Sequence, residues 1–139
     1  ELTKQLIWRD KRGKTFIKSG DIGKLDEEGF LSILDRKKDM IISGGLNVFP
    51  VDIEEIVGTH PDILDVTVIG IPHDKWGETC LALIIPKINK NVDPDEIKDW
   101  ANKKLAKHQR LNKVELREEF PRNALGKVLK RFLREPYWA

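Results

Sequence analysis

Cysteine is almost absent from this chain. Cys80 is the only one in 139 residues, which excludes an intrachain disulfide framework and points to a reducing, cytoplasmic setting. It sits in the apolar run Cys80-Leu81-Ala82-Leu83-Ile84-Ile85, where a buried, inert thiol is expected rather than a nucleophile. No apolar stretch approaches the roughly 20 residues that a membrane span requires, and no signal-peptide pattern opens the chain. A chain that crosses a membrane is therefore not expected, and a peripheral membrane association of a parent protein stays open. The three histidines, His60, His73 and His108, lack metal-ligand spacing, so no protein-built metal site is expected. Aromatic residues make up 7% of the chain and are not interleaved with basic ones, and no nucleic-acid signature is present. Neither a Ser-His-Asp motif nor a Walker-type glycine loop occurs. An initiator methionine is missing as well. Glu1-Leu2-Thr3 runs directly into patterned sequence, as expected of a piece of a longer protein.

What is present suits a small domain with a core. Hydrophobic residues make up 40% and charged residues 35%, and the formal net charge is only +2. That charge is uneven. Residues 107–134 hold nine Lys/Arg against three Glu, a basic patch that suits phosphate-bearing ligands or is simply a solvated face.

The pattern changes near residue 40. Upstream, Lys14-Thr15-Phe16-Ile17 and Ile22-Gly23-Lys24-Leu25 read as short strands, and a turn at Asp26-Glu27-Glu28-Gly29 leads into Phe30-Leu31-Ser32-Ile33-Leu34. Downstream, Pro50 precedes Ile53, Ile56 and Val57 at helical spacing, ended by Gly58 and Pro61. Residues 66–71 read as a strand stopped by Pro72, and residues 81–85 as a second closed by Pro86. Asp93-Pro94-Asp95-Glu96 offers a capping Asp, a first-turn proline and a Glu placed for a capping box. Ile97, Trp100, Ala101 and Leu105 continue it as an apolar stripe. Residues 113–117 alternate as a third strand. A last helix pairs Val128 with Phe132 and Leu129 with Leu133, leaving Lys127, Lys130, Arg131 and Arg134 outward. The expectation is an α+β domain with a mainly three-stranded β-sheet flanked by helices, preceded by a short β-hairpin segment.

Two segments carry chemistry. Pro121-Arg122-Asn123-Ala124-Leu125-Gly126-Lys127 reads as an ordered loop that places Lys127 at the mouth of a helix, beside a glycine that lets the backbone bend. A lysine there is a movable point charge suited to a reaction that develops negative charge on phosphate; the plain alternative is a surface lysine in a turn. The second segment runs from the charged Asp35-Arg36-Lys37-Lys38-Asp39 through Met40-Ile41-Ile42 into Ser43-Gly44-Gly45. The charges mark a hinge between patterns, and the glycines allow close approach to a thin ligand. An ordinary linker before a tight turn reads equally well.

In order, Ser19-Gly20-Asp21, Asp35-Arg36-Lys37-Lys38-Asp39, Ser43-Gly44-Gly45 with Asn47, Pro50 and Glu54, and Pro121-Arg122-Asn123 with Gly126-Lys127 resemble the C-terminal part of adenylate-forming enzymes. This superfamily comprises acyl-CoA synthetases, peptide-synthetase adenylation domains and luciferases. The resemblance runs from about Phe16 to Arg134. The run 36–45 and Pro72-His73-Asp74-Lys75-Trp76-Gly77-Glu78 are most like a medium- or long-chain fatty acid–CoA ligase.

The resemblance implies a two-step reaction: a carboxylate attacks the α-phosphate of ATP, then the thiol of coenzyme A displaces AMP. It implies that Lys127 is the adenylation lysine, that Asp21 accepts hydrogen bonds from the ribose hydroxyls, and that Arg36 contacts the nucleotide. It places Lys38 at the hinge, where many relatives carry aspartate and others lysine. Ser43, Gly44 and Gly45 are expected to line the pantetheine tunnel with Trp76, although a partly buried structural tryptophan serves as well. Arg110 and Lys113 fall where some relatives hold coenzyme A phosphates, or on a solvated basic face. ATP with Mg2+ and coenzyme A are expected as substrates, magnesium arriving with the nucleotide, and no tightly bound cofactor is expected. Residues 1–38 would end a large N-terminal adenylation domain, the implied partner, and residues 39–139 would form a mobile C-terminal domain. The fragment alone, lacking the acyl pocket, would be inactive. The alternatives are another adenylating branch, an aryl-CoA synthetase or a fatty acyl-AMP ligase, and, from a different class, a free-standing basic binding module.

Overall fold

The computed structural model describes the backbone from Leu2 to Ala139 and side chains from Lys4 onward; Glu1, on which the open start of the chain was read, lies outside the described residues. The chain divides into two compact units, residues 1–38 and 39–139.

The first unit holds a five-residue helix, α1 (Leu2–Leu6), and two antiparallel hairpins. One pairs β1 (Ile7–Arg9) with β2 (Thr15–Ile17), and the other pairs β3 (Asp21–Leu25) with β4 (Leu31–Arg36). β2, β3 and β4 are the expected strands, whereas α1 and β1 are additional: the short run Ile7-Trp8-Arg9 carries too few alternations to declare a strand. Turns close on side chains: Asp26 Oδ1 accepts from Glu28 N at 3.0 Å and Phe30 N at 2.8 Å. None of the described side chains in this unit is buried, and Ile17, Leu25, Phe30 and Leu31 stand out into solvent. Two-stranded ribbons cannot bury a core by themselves.

The second unit has that core. Its sheet is built on the long hairpin of β7 (Ile63–His73) and β8 (Gly77–Pro86), paired from Ile63↔Pro86 to His73↔Gly77. On the other side of β8 lie β9 (Leu111–Leu116), parallel to it, and the hairpin β5 (Ile41–Ser43) and β6 (Leu46–Val48), joined through Ser43↔Gly77. The expected three strands are thus present, and β5 and β6 extend the sheet to five. Residues 66–71 were expected to stop at Pro72, but β7 runs through it to His73. β7 is an edge strand, and such an edge tolerates a residue without an N–H.

Alternation along β8 sends Cys80, Ala82 and Ile84 to one face and Leu81 and Leu83 to the other. The first face packs under α2 (Pro50–Gly58) and α3 (Pro94–Asn102) through Ile53, Val57, Ile97 and Ala101. The second packs with Phe120, Val128, Leu133 and Tyr137, the last two on α4 (Lys130–Trp138). With both faces covered, β8 reads as a continuous apolar run and its thiol is sealed. Burial, with Glu78 adding to it, pushes the Cys80 pKa up to about 12. Asp93 caps α3 by accepting from Asp95 N at 2.8 Å. Leu105 lies past the end of α3 yet stays buried. Arg134 on α4 pairs with Asp39 at 3.4 Å, which fixes the first residue of this unit to its last helix.

Candidate functional site

The sequence placed Lys127 at a helix mouth, but α4 starts at Lys130, and Val128 instead forms an isolated bridge with Arg122. The loop is therefore a small closed hairpin. Asn123 Oδ1 accepts from Leu125 N at 3.0 Å and from Lys127 N at 2.9 Å. Asn123 N donates to Lys127 O, and Gly126 N to Asn123 O, each at 2.9 Å. Gly126 has a φ of +82°, a left-handed turn that a side chain would strain. Leu129 N donates to Pro121 O at 2.8 Å and closes the base. The outcome is an ordered backbone with the Lys127 side chain in solvent.

At the other end of the same sheet a cavity of about 500 Å³ opens, lined by Ser43, Gly44, Trp76, Thr79, His108 and Arg110 among others. Its floor follows from backbone geometry. Gly44 and Gly45 both have positive φ, +58° and +82°, which makes the two-residue connection of β5 and β6 a turn that only glycine-like residues form easily. Gly44 N donates to Trp76 O at 2.9 Å, and a Cβ on Gly44 would come within 2.9 Å of Trp76 Cε3. The glycine thus lies flat against an indole that is 44% exposed. The basic rim comes from the 3-10 turn Lys107–Gln109 and Arg110. Asn102 holds that rim, with Nδ2 donating to Leu111 O at 2.9 Å and Oδ1 accepting from Leu111 N at 2.7 Å.

The cavity thus gathers Ser43, Gly44, Trp76 and Arg110, but neither Gly45 nor Lys113 lines it. Lys113 Nζ donates to Glu115 Oε1 at 2.7 Å instead, and that hydrogen bond raises its pKa. Lys107, His108, Thr79 and Leu46 also line the cavity and were missed; they carry no motif, and only the fold brings them together. In the first unit, Asp21 and Arg36 are register partners across β3 and β4, with Arg36 Nε 3.9 Å from Asp21 Oδ1. Lys38 is the last residue of that unit. Among the described residues no group of three His, Cys, Asp or Glu side chains could hold a metal ion.

Pairing sorts the basic patch. Lys113, Arg117, Arg122, Lys130, Arg131 and Arg134 each meet a carboxylate. The expected outward positions of Lys130 and Arg134 are thereby corrected: Lys130 lies 2.6 Å from Glu54, and its side chain is only 15% exposed. Of the nine cations in residues 107–134, Lys107, Arg110 and Lys127 are those with no acidic partner among the described residues. Those three belong to the cavity rim and the loop.

The chain belongs to the AMP-binding enzyme C-terminal domain family, whose model matches residues 52–127. It is 44% identical over 131 residues to the long-chain-fatty-acid–CoA ligase FadD13 of Mycobacterium tuberculosis, covering 94% of this chain and 26% of that protein. It is likewise 44% identical over 120 residues to a 2-succinylbenzoate–CoA ligase of Bacillus cereus, covering 86% of this chain and 24% of the relative. Among solved structures, ATP-bound MatB from Rhodopseudomonas palustris superposes with a TM-score of 0.84 at 37% identity, over 99% of this chain and 26% of that one. The chain spans about a quarter of the length of these relatives. No helix among the described residues is long and apolar enough to cross a membrane.

Proposed function

We propose that this chain is the C-terminal part of a cytoplasmic, ATP-dependent fatty acid–CoA ligase, in which residues 39–139 move as one body between two half-reactions. One observation carries the reading. Lys127, and the cavity with Lys107 and Arg110, all three without an acidic partner among the described residues, belong to opposite ends of one β-ladder. The Lys127 loop is tied to Asp65, and the cavity lies at Ser43 and Gly77. Asp65↔Ile85 and His73↔Gly77 are eight ladder positions apart, or about 26 Å at 3.3 Å per residue. A closely packed unit cannot bring both ends to one reaction centre without turning.

In the first half-reaction the Lys127 ammonium sits between the incoming carboxylate and the α-phosphate of ATP. It offsets the repulsion of two anions and stabilises the charge that builds as the oxygen–phosphorus bond forms and pyrophosphate leaves. Asp21 and Arg36 hold the nucleotide from residues 1–38, which end the N-terminal adenylation domain, and Lys38 is the hinge. Magnesium enters bound to ATP. In the second half-reaction the pantetheine arm lies over Gly44 and beside Trp76, where no side chain stands in its way. Arg110 meets the phosphates of coenzyme A, and the thiol sulfur bonds to the acyl carbon as AMP departs. Lys113, held by Glu115, has no part in this, and Gly45 serves by shaping the turn.

The fatty-acid branch is favoured because its relative matches 94% of the chain and because of the motif at residues 36–45. The equal identity to a 2-succinylbenzoate ligase keeps the aryl branch as the second reading. The test is acyl-CoA formation by the full-length protein on a panel of fatty and aryl acids, with the 139-residue chain alone as control. Turnover on fatty acids and none by the chain alone is expected; preference for aryl acids would select the second reading, and turnover by the isolated chain would contradict the first.

A further inference from the structure

The Lys127 loop is tied down by side chains that the reaction does not use. Arg122 acts in two directions at once. Its Nη1 donates to Gly126 O, next to Lys127, at 2.9 Å, and its Nη2 pairs with Asp65 on β7. Past the loop, Lys130 Nζ donates to Glu54 Oε1 at 2.6 Å. The same oxygen accepts from Val68 N at 2.8 Å and Thr67 Oγ1 at 3.4 Å, so one α2 carboxylate joins the loop's exit to the outer edge of β7. Each arm of the loop thus has one ion pair, and both are anchored on β7 or on the helix beside it.

Exposed ion pairs give little net stability, and Arg122–Asp65 is such a pair. Its use is geometric: a planar guanidinium bridging a fixed strand and the carbonyl before Lys127 leaves that backbone one orientation. Lys130–Glu54 is largely enclosed, and losing one partner would strand the other.

We propose that Arg122–Asp65 and Lys130–Glu54 are positioning pairs that hold the Lys127 loop rigidly to β7 and α2, so that the lysine reaches its target only by movement of the whole unit. This rests on the reading of Lys127 as the adenylation lysine, but it assigns to four further residues a role that touches no substrate.

The test uses the full-length enzyme with Asp65→Asn, Arg122→Lys, Lys130→Met and Lys130→Arg, and Lys127→Ala as reference. Asp65→Asn, Arg122→Lys and Lys130→Met should each lower the adenylation kcat about tenfold with the KM for ATP within twofold. Thioester formation from preformed acyl-adenylate should stay within twofold, and Lys130→Arg should recover most of the loss. Amide exchange at Leu125 and Lys127, measured on the 139-residue chain, should quicken at least tenfold in Asp65→Asn while β8 amides keep their protection. Losses shared equally by both half-reactions would mean a merely structural role and overturn the proposal, as would unchanged adenylation in all these variants while Lys127→Ala abolishes it. If Lys127→Ala itself left adenylation intact, the reading of the lysine would fail and the proposal with it.

Discussion

At the Asp65 end of the β7–β8 ladder, Lys127 is delivered by a closed hairpin whose amides converge on Asn123 and whose arms end in ion pairs. At the Gly77 end, Arg110 and Lys107 border an open cavity over a glycine turn and the face of Trp76. The first arrangement orders the backbone that carries one exposed charge, which suits the adenylation role proposed for Lys127. The second leaves an open space with charge at its rim, which suits the long flexible ligand proposed for it. Both ends share β8, and away from either site Glu115 ties β9 to α4. Its carboxylate accepts from the Tyr137 hydroxyl of α4 at 2.6 Å and from Arg117 at 2.8 Å.

The largest expected effect comes from removing the fixed charge. Lys127→Ala should lower overall acyl-CoA formation by the full-length enzyme on the order of 10²- to 10³-fold, measured as steady-state kcat, with the melting temperature unchanged because the side chain stands in solvent.

Filling the other end comes next. Gly44→Val puts a Cβ 2.9 Å from Trp76 and demands a φ of +58° from a branched residue. The left-handed conformation alone costs about 1–2 kcal/mol, and thioester formation should fall at least about tenfold with adenylation retained. Arg110→Ala, a smaller change at the same end, should raise the KM for coenzyme A about five- to tenfold, the range of an exposed charge-assisted contact. Dephospho-coenzyme A should show which phosphate is met.

Glu115→Gln loosens the β9–α4 link, which touches neither end, so any kinetic loss should be shared by both half-reactions. Burial by itself would raise this carboxyl, but hydrogen bonds from Lys113, Tyr137 and Arg117 outweigh it and bring its pKa from 4.5 down to about 2. A carboxyl with a lowered folded-state pKa stabilises fully above its unfolded value and loses that contribution as pH falls through the folded one. Between pH 5 and 2 the native protein should therefore lose on the order of 1–2 kcal/mol that the variant does not lose, as read from urea unfolding at each pH. The smallest effect concerns Cys80, with its pKa near 12 and no exposure. Iodoacetamide at pH 7.5 should label it only after unfolding.

Much of the fold was legible because the apolar pattern is regular where the core is. The apolar run Cys80-Leu81-Ala82-Leu83-Ile84-Ile85 before Pro86 and the proline-led starts of α2 and α3 are local signals, and they landed on β8 and both helices. What failed depended on partners distant in sequence. Pro72 reads as a stop until β7 is seen to be an edge strand. Lys130 reads as solvated until α2 brings Glu54 beside it, 76 residues away. The same holds at the site. Lys127 and the Ser43-Gly44 turn stood out as motifs, whereas the separation of three cations without an acidic partner among the described residues from six paired ones exists only in three dimensions.

The most direct test of the central claim, one unit serving two half-reactions from opposite ends, is to measure both half-reactions side by side in full-length Lys127→Ala and Gly44→Val. A crossed result is expected. Lys127→Ala should lose pyrophosphate release yet convert preformed acyl-adenylate to thioester near the native rate, and Gly44→Val should do the reverse. If either variant lost both half-reactions equally, the division of labour between the two ends would be contradicted.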